Sequence, residues 1–536
     1  MRSILSTATI LVVTAVTCPL DAQDLADRVN AARGDIVRLS FPTRPEICGD
    51  GQSIGEMTVD GFTTHTFWSG GYSIQNHEFW QPECRTGPMR LVVEKENGRI
   101  QELRVAVGVD WLPDARGPDL GTFAGVEVAT WLLDAAAAGE DVGSVAFLAA
   151  NAAQDAPIAN RLIEMARDGA LDTDVRERAI RWINPAAERE EMPGQADRVL
   201  RELVLASGEN VDVRERAIRS LRETNENDAW LREQYPRITG TQLKERVIRR
   251  VGASSSEANA TWLRSVVLNA NERLELRERA LRMIGDEAGR HDEIRSLYDL
   301  LDHTDLKERA VRMVGDEGSP EDMRWIRQVA TDANEPSKIR DRAIRVLGED
   351  ADLATMQQLY RDTQGRALKE RVLRMVGEQH TADAAAWLEQ VATDRDEATE
   401  LRDRAIRLLG EYESTAVRDL FERLDSDDLR DRALRLTAER KDGGTSEWLK
   451  DIATSTQYSN QVRDRALRLL AERAIATIEI AAIYDDITGT DLRRRVIRLL
   501  AERDDDAAVE KLRAIAETDP SSDLRRYAAR RLAELG

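Results

Sequence analysis

Aromatic residues make up only 5% of this 536-residue chain, whereas charged residues make up 33%. A single thick globular core needs more large buried side chains than that. Thin helical layers, each burying a narrow apolar stripe, do not. Lysine is also scarce, at eight of the 77 basic residues. An arginine excess favours planar, two-pronged ion pairs over loosely solvated charge. The net charge of −21 leaves no general basic surface, so neither free nucleic acid nor an anionic membrane is expected as a partner. Histidine occurs five times, without an HExxH spacing. There is no Walker A loop and no dinucleotide fingerprint, so no cofactor, metal or small-molecule ligand is expected.

Long apolar runs are absent except at the start. Arg2 followed by the apolar stretch Ile4 to Thr17 reads as a secretory signal over residues 1–22, with a cut after Ala22. That stretch is too short to span a bilayer comfortably, and no other segment could span one. Export to a periplasmic or extracellular space is therefore expected. Cys18 raises a lipoprotein reading, but Ala15-Val16-Thr17 before it matches a lipobox poorly. Two cysteines remain after the cut, Cys48 and Cys84, and an exported protein would join them in a disulfide. A metal site using His65 and His77 is the rival reading, without a supporting CxxC or HxxxH spacing.

Residues 23–118 differ from everything after them. Val37, Leu39 and Phe41 alternate with polar neighbours, as in a half-buried strand. Residues 89–96 and 99–107 flank Asn97-Gly98, a strong hairpin-turn signal. A small antiparallel β domain is expected, ending in the Pro, Gly and Asp-rich stretch from Pro113 to Gly121. Gly51-Gln52-Ser53-Ile54-Gly55 matches the G-x-S-x-G nucleophile elbow. That motif needs a strand before it, a helix after it and a large parallel sheet, so the expected structure is a glycine turn. A hydrolase-like site around Ser53, His65 and His77 is the outlying alternative.

From residue 119 to 536 the pattern is helical. An aliphatic anchor followed by R-E/D-R-A-I/L-R recurs, with anchors Val175, Val213, Leu243, Leu276, Leu306, Ile339, Leu368, Leu401, Leu429, Val462, Leu492 and Leu524. After a first step of 38 residues, spacings alternate between 28–30 and 32–33, while two-unit steps stay at 61–63. The true period is thus a pair of unlike hairpins. An aromatic residue stands eight before the anchor in the short units (Tyr235, Tyr298, Tyr360, Phe421, Tyr484). A tryptophan stands fourteen before it in the long ones (Trp262, Trp325, Trp387, Trp448). Strict spacing with apolar company favours packing between neighbouring units over a ligand-stacking row.

Asp174-Val175-Arg176 with Ala179, and Asp428-Leu429-Arg430 with Ala433, show a turn acid, an aliphatic-Arg pair and a small residue. This pattern resembles the HEAT family, in the short-period form called phycobilisome-lyase-type HEAT-like repeats. The resemblance covers roughly residues 124–536. It implies a mainly α chain, an α-solenoid of about twelve helical hairpins, with a concave face lined by the second helices. It also implies a scaffold that binds protein, without one shared activity. No residue supports a lyase reading, and the His-Glu pairs of di-iron HEAT hydroxylases occur once here, at His77-Glu78, outside the repeats.

At 100° per residue, positions 0, +4, +5, +7 and +8 from the anchor form an apolar face. Position +1 is basic in all twelve units, +3 is Arg in eleven, and +6 is Arg in all twelve. The sharp reading is an arginine-lined trough for an acidic peptide or polyanion. Against it, +2 and +10 are each acidic in ten units, and +6 with +10 forms an i,i+4 pair. The strip is therefore close to neutral, and a self-tied ladder is favoured. At the end Arg494 and Arg526 replace the +2 acid, which makes Arg465, Arg468, Arg495, Arg498 and Arg530 the candidate anion-binding residues. The leading expectation is a non-catalytic scaffold for an unknown protein partner.

Overall fold

The computed structural model describes residues 22–535, apart from 51–52, 59–60, 69–70, 78–84, 109–110, 112–115, 286–290, 317, 350, 413–415, 440–443, 474 and 504. The signal segment and Cys84 therefore lie outside the described residues. Two compact units divide the chain, residues 1–286 and 287–536.

Among the described residues the first unit begins with a helix, Ala22–Ala31, followed by nine strands. These are β1 (Ile36–Phe41), β2 (Ile47–Gly49), β3 (Ser53–Thr58), β4 (Gly61–Trp68), β5 (Gly71–His77), β6 (Arg85–Thr86), β7 (Met89–Glu96), β8 (Arg99–Ala106) and β9 (Asp119–Thr122). They form a four-stranded sheet in the order β8-β7-β1-β9 and a five-stranded sheet in the order β5-β4-β3-β2-β6. Among the described residues all strand pairings are antiparallel except β1 with β9. The β7–β8 hairpin turns at Asn97 (φ 52°) and Gly98 (φ 77°), both left-handed, as a two-residue turn between right-twisted strands requires. Val37, Leu39 and Phe41 are fully buried, as their alternation predicts.

One charged side chain ties the opening helix to the sheet. Lys95 is 8% exposed, and its ammonium donates to the carbonyls of Val29, Asn30 (3.2 Å) and Ala32 (2.9 Å). These are carbonyls at and beyond the end of Ala22–Ala31, where a helix lacks internal donors and favours a cation. The β region also meets the first helical hairpin, Gly125–Ala137 and Gly143–Ala152. Glu140 accepts from the Ile100 amide at 2.9 Å, and Arg44 donates to the Asn151 carbonyl at 2.9 Å.

From there the chain is a succession of helical hairpins, an α-solenoid in both units. Each of the twelve anchors is the third residue of a helix, from Val175 in Thr173–Arg189 to Leu524 in Ser522–Leu535. The apolar face falls as expected: Leu401, Ala405, Ile406, Leu408 and Leu409 are all at most 2% exposed. The alternating aromatics pack between neighbouring hairpins. Edge-to-face pairs join Tyr235 to Trp262, Tyr298 to Trp325, Tyr360 to Trp387 and Phe421 to Trp448, with centroids 5.0–5.3 Å apart.

A small residue, Gly or Ala, stands at +9 in ten of the twelve units and lets successive second helices approach closely. A methyl built on Gly315 would stand 2.1 Å from Val346 Cγ1, and one on Gly348 would stand 2.0 Å from Met375 Cε. Val346 and Met375 are the +7 residues of the next unit. The glycine is thus a packing residue rather than a helix stop.

Candidate functional site

The position +1 residues show why the repeat alternates. In long units an arginine turns inward. Arg402, 5% exposed, donates Nε to the Ala392 carbonyl at 3.0 Å and a terminal nitrogen to Asp425. Arg277, Arg340 and Arg463 reach the matching carbonyls, Val267, Ala330 and Ala453, from the same ten-residue offset. Each side chain satisfies the open C-terminal end of the preceding helix. In three of the five short units a lysine takes the place, and Arg430 and Arg493 stand there in the other two. Lys244, Lys307 and Lys369 lie over the rings of Tyr235, Tyr298 and Tyr360 at 4.6–4.7 Å. They bind Glu272, Glu335 and Glu397 in the next unit's turn at 2.7–3.0 Å. Burial, then the neighbouring carboxylate, pushes each of these phenols above its ordinary pKa.

Positions +2, +3 and +6 form a ladder. At Glu215, Glu245, Asp341, Asp403, Asp431 and Asp464 the +2 carboxylate takes the +6 arginine of its own helix and the +3 arginine of the next. Asp341 accepts from Arg345 at 2.9 Å and Arg371 at 2.6 Å. Asp403 accepts from Arg407 and Arg432, both at 2.6 Å. Glu245 accepts from Arg249 at 2.6 Å and Arg279 at 2.8 Å. At Glu215, burial opposes ionisation, but donors from Gln242, Arg246 and Arg219 outweigh it and hold the carboxyl at about 2. The expected +6/+10 pairing is corrected here. Among the described residues Glu349, Glu411, Glu439, Glu472 and Glu502 make no ion pair, because the +2 acid bridges two helices whereas the +10 acid stands past the stack.

The candidate arginines divide by these partners. Arg465 donates to Asp431, and Arg468 and Arg495 both donate Nε to Asp464, at 2.9 and 2.5 Å. Asp464 is the last acid of the ladder. Arg498 lies against the Tyr527 hydroxyl, where burial raises the phenol's pKa but donors from Arg531 and Arg498 outweigh it and lower the pKa. Arg530 is exposed and has no ion-pair partner among the described residues.

Ser53, Ile54 and Gly55 lie in β3, paired with Thr66, His65 and Thr64 of β4. The expected glycine turn is therefore a strand at these three residues. Extended backbone between antiparallel neighbours is also not the strand-to-helix bend that exposes a nucleophilic serine. His77 ends β5. The remaining histidines serve local structure: His291 bonds Asp322 at 3.0 Å, His303 caps its helix at the Asp305 amide, and His380 packs on Tyr412. Among the described residues no group of three or more His, Cys, Asp or Glu side chains could hold a metal, and no helix is long and apolar enough to cross a membrane. Cys48 is fully buried in β2, while Cys84 lies outside the described residues.

Sequence reasoning missed the groove beside the ladder in the second unit. It encloses about 460 Å³ and is lined by Arg366, Glu370, Asp403, Arg407, Asp431 and Arg435, among others. Arg366 is the available signal. It is the one basic residue two places before an anchor, where five other units carry threonine.

No family model and no curated protein matches the chain. Similar solved structures include Kap95p in its complex with RanGDP, at 11% identity and a TM-score of 0.33, covering 76% of this chain and 72% of that one. The myosin chaperone UNC-45 from C. elegans, in complex with a Hsp70 peptide, gives 14% and 0.26, covering 71% and 62%. Human deoxyhypusine hydroxylase in complex with glycerol gives 14% and 0.17, covering 64% and 96%. Scores this low carry no argument about function, and the solenoid stands on the chain's own order of helices.

Proposed function

We propose that the protein is an exported, non-catalytic scaffold that holds another protein along the face formed by its second helices. The ladder-lined groove of the second unit carries this reading. Its side chains are already fixed by ion pairs across successive helices, so a partner would meet a pre-ordered polar surface and lose less freedom on docking. Its near-balanced charge suits a reversible polar interface rather than a permanent apolar one. The export reading rests on Arg2 and the apolar stretch Ile4 to Thr17. With it goes a Cys48–Cys84 disulfide in the β region.

The test is site-specific photocrosslinking in the intact chain, exported from its own cell type. A crosslinker at Arg407, on the ladder face, should capture a discrete protein, whereas one at the exposed Arg324 on a first helix should not. Equal capture at both positions, or capture at Arg324 alone, removes the proposal.

A second reading, binding of an acidic peptide or polyanion at the C-terminal end, is favoured by one observation. The +2 acid is replaced by Arg494, whose Nε is buried without a hydrogen-bond partner. Binding that falls with salt and with Arg498→Ala and Arg530→Ala would support it, and salt-independent binding would remove it.

A further inference from the structure

One rung of the ladder stands open. By the rule of its neighbours, Glu370 should accept from Arg374 of its own helix and Arg404 of the next. It does neither. Its carboxylate turns to Arg366, four residues earlier, at 3.5 Å, and Arg366 is shared with Glu400 at 3.3 Å. Arg374 and Arg404 have no hydrogen-bond or ion-pair partner among the described residues. Arg374 is exposed and Arg404 half-buried. The rungs on either side are filled, by Asp341 between Arg345 and Arg371, and by Asp403 between Arg407 and Arg432.

The sequence explains the difference. The helix Arg366–Glu378 begins with a basic residue where nine of the eleven sister helices begin with Thr, Ser, Asp or Asn and the other two with Val211 and Leu274. An arginine four residues before a glutamate competes directly for it. The cost falls on Arg404. Burial first, and then the like charges of Arg374 and Arg407, lower its pKa below the ordinary value, with Glu411 and Glu370 acting in the opposite sense. Two guanidiniums held without their carboxylate are a pre-formed pair of donors for one.

We propose that this open rung is a docking site for a carboxylate side chain of an acidic peptide segment on the partner protein. The proposal rests on the scaffold reading above and names the chemistry the scaffold recognises. The occupant is inferred from the other rungs, where the same pair of arginine positions takes one planar, two-oxygen carboxylate. Glu370 then acts as an internal competitor, held out of the slot by Arg366.

Opposite signs from two single changes test this. The full chain is titrated against a fluorescein-labelled hexaglutamate peptide and followed by anisotropy. Arg404→Ala and Arg374→Ala should each weaken binding about tenfold or more, the scale of one charge-assisted hydrogen bond. Arg366→Thr removes no slot residue, yet it should also weaken binding, because Glu370 is released to close the slot. Glu370→Ala should strengthen binding. Glu400→Ala makes the same charge change beside the same Arg366, and it should strengthen binding less. Arg345→Ala, at a filled rung, should leave affinity unchanged. Arg366→Thr puts the sister residue at an exposed position, so it tests the proposal even if Arg404→Ala fails to fold.

Unchanged or tighter binding in Arg366→Thr overturns the proposal, as does equal strengthening by Glu370→Ala and Glu400→Ala. Displacement of the peptide by inorganic phosphate, or by a single-stranded oligonucleotide, at matched charge also overturns it. Failure here with intact ladder-face crosslinks strikes only the rung. Loss of the crosslinks strikes the scaffold reading.

Discussion

Gly315→Ala tests the close stacking of second helices. The new methyl would stand 2.1 Å from Val346 Cγ1 and 3.4 Å from Ile326 Cδ1. Val346 is β-branched and lies in a helix, so it has little rotamer freedom to step aside. Overpacking of this kind costs about 1–3 kcal/mol. Replacing Gly by Ala in a helix returns up to about 1 kcal/mol, and less at a final residue such as this one. The net expectation is a loss of about 1 kcal/mol. Gly348→Ala makes the same chemical change against Met375, whose Cε and Sδ would lie 2.0 and 2.8 Å away. A methionine end can move, so the net change there should be near zero. Hydrogen exchange over Ser337–Gly348 reads the local opening energy, and the urea midpoint at unchanged slope reads the global one. In a Val346→Ala background the Gly315→Ala penalty should vanish or reverse. Equal costs at the two glycines, or a penalty that survives Val346→Ala, would falsify close stacking as the reason for these residues.

Glu215 gives a pH test. Its folded pKa is depressed to about 2 from an ordinary 4.5, so its stabilisation is present above pH 4.5 and disappears as pH falls through 2. Glu215→Gln should therefore destabilise the chain at pH 7, and the gap from wild type, measured by urea unfolding, should close between pH 5 and 2. Tyr360→Phe removes the 2.7 Å bond to Glu397, and thermal unfolding should show a loss of about 1 kcal/mol. A parallel Gln358→Ala, which removes a solvent-exposed bond to Asp362, should show almost none. Lys95→Met leaves three carbonyls at the first helix's end without their cation, so amide exchange over Ala22–Ala31 should speed up while that over Thr399–Gly410 stays unchanged. Intact-mass measurement of the exported protein should find Cys48 and Cys84 joined, and two free thiols would refute the pairing.

The sequence alone was enough for the hairpin repeat, its apolar face and its two-unit period. Those features are local. Helical periodicity places Leu401, Ala405, Ile406 and Leu409 on one side of any helix they form, and Asn97-Gly98 turns the same way in any hairpin. The aromatic spacing likewise pointed to packing, because a residue recurring at one offset in each unit meets its neighbour's counterpart. What the sequence could not assign were partners between helices. An i,i+4 reading sees only one helix, so it paired the +6 arginines with the +10 acids. The stack brings the next helix's +3 arginine to the +2 acid, and that bridging position wins the bond. For the same reason Arg465 and Arg495 read as candidate anion-binding residues in sequence but hold Asp431 and Asp464 across helices in the fold, while Arg468 holds Asp464 within its own helix.

The composition thus determined that this chain would be thin layers of helix tied by arginine. Only the tertiary structure decided which arginines are spoken for. An ion pair between successive units depends on the distance across the stack, and a glycine at +9 permits the close approach in six of the units. It also depends on which of two nearby cations reaches a carboxylate first. At Glu370 that competition went to Arg366, and Arg374 and Arg404 have no ion-pair partner among the described residues.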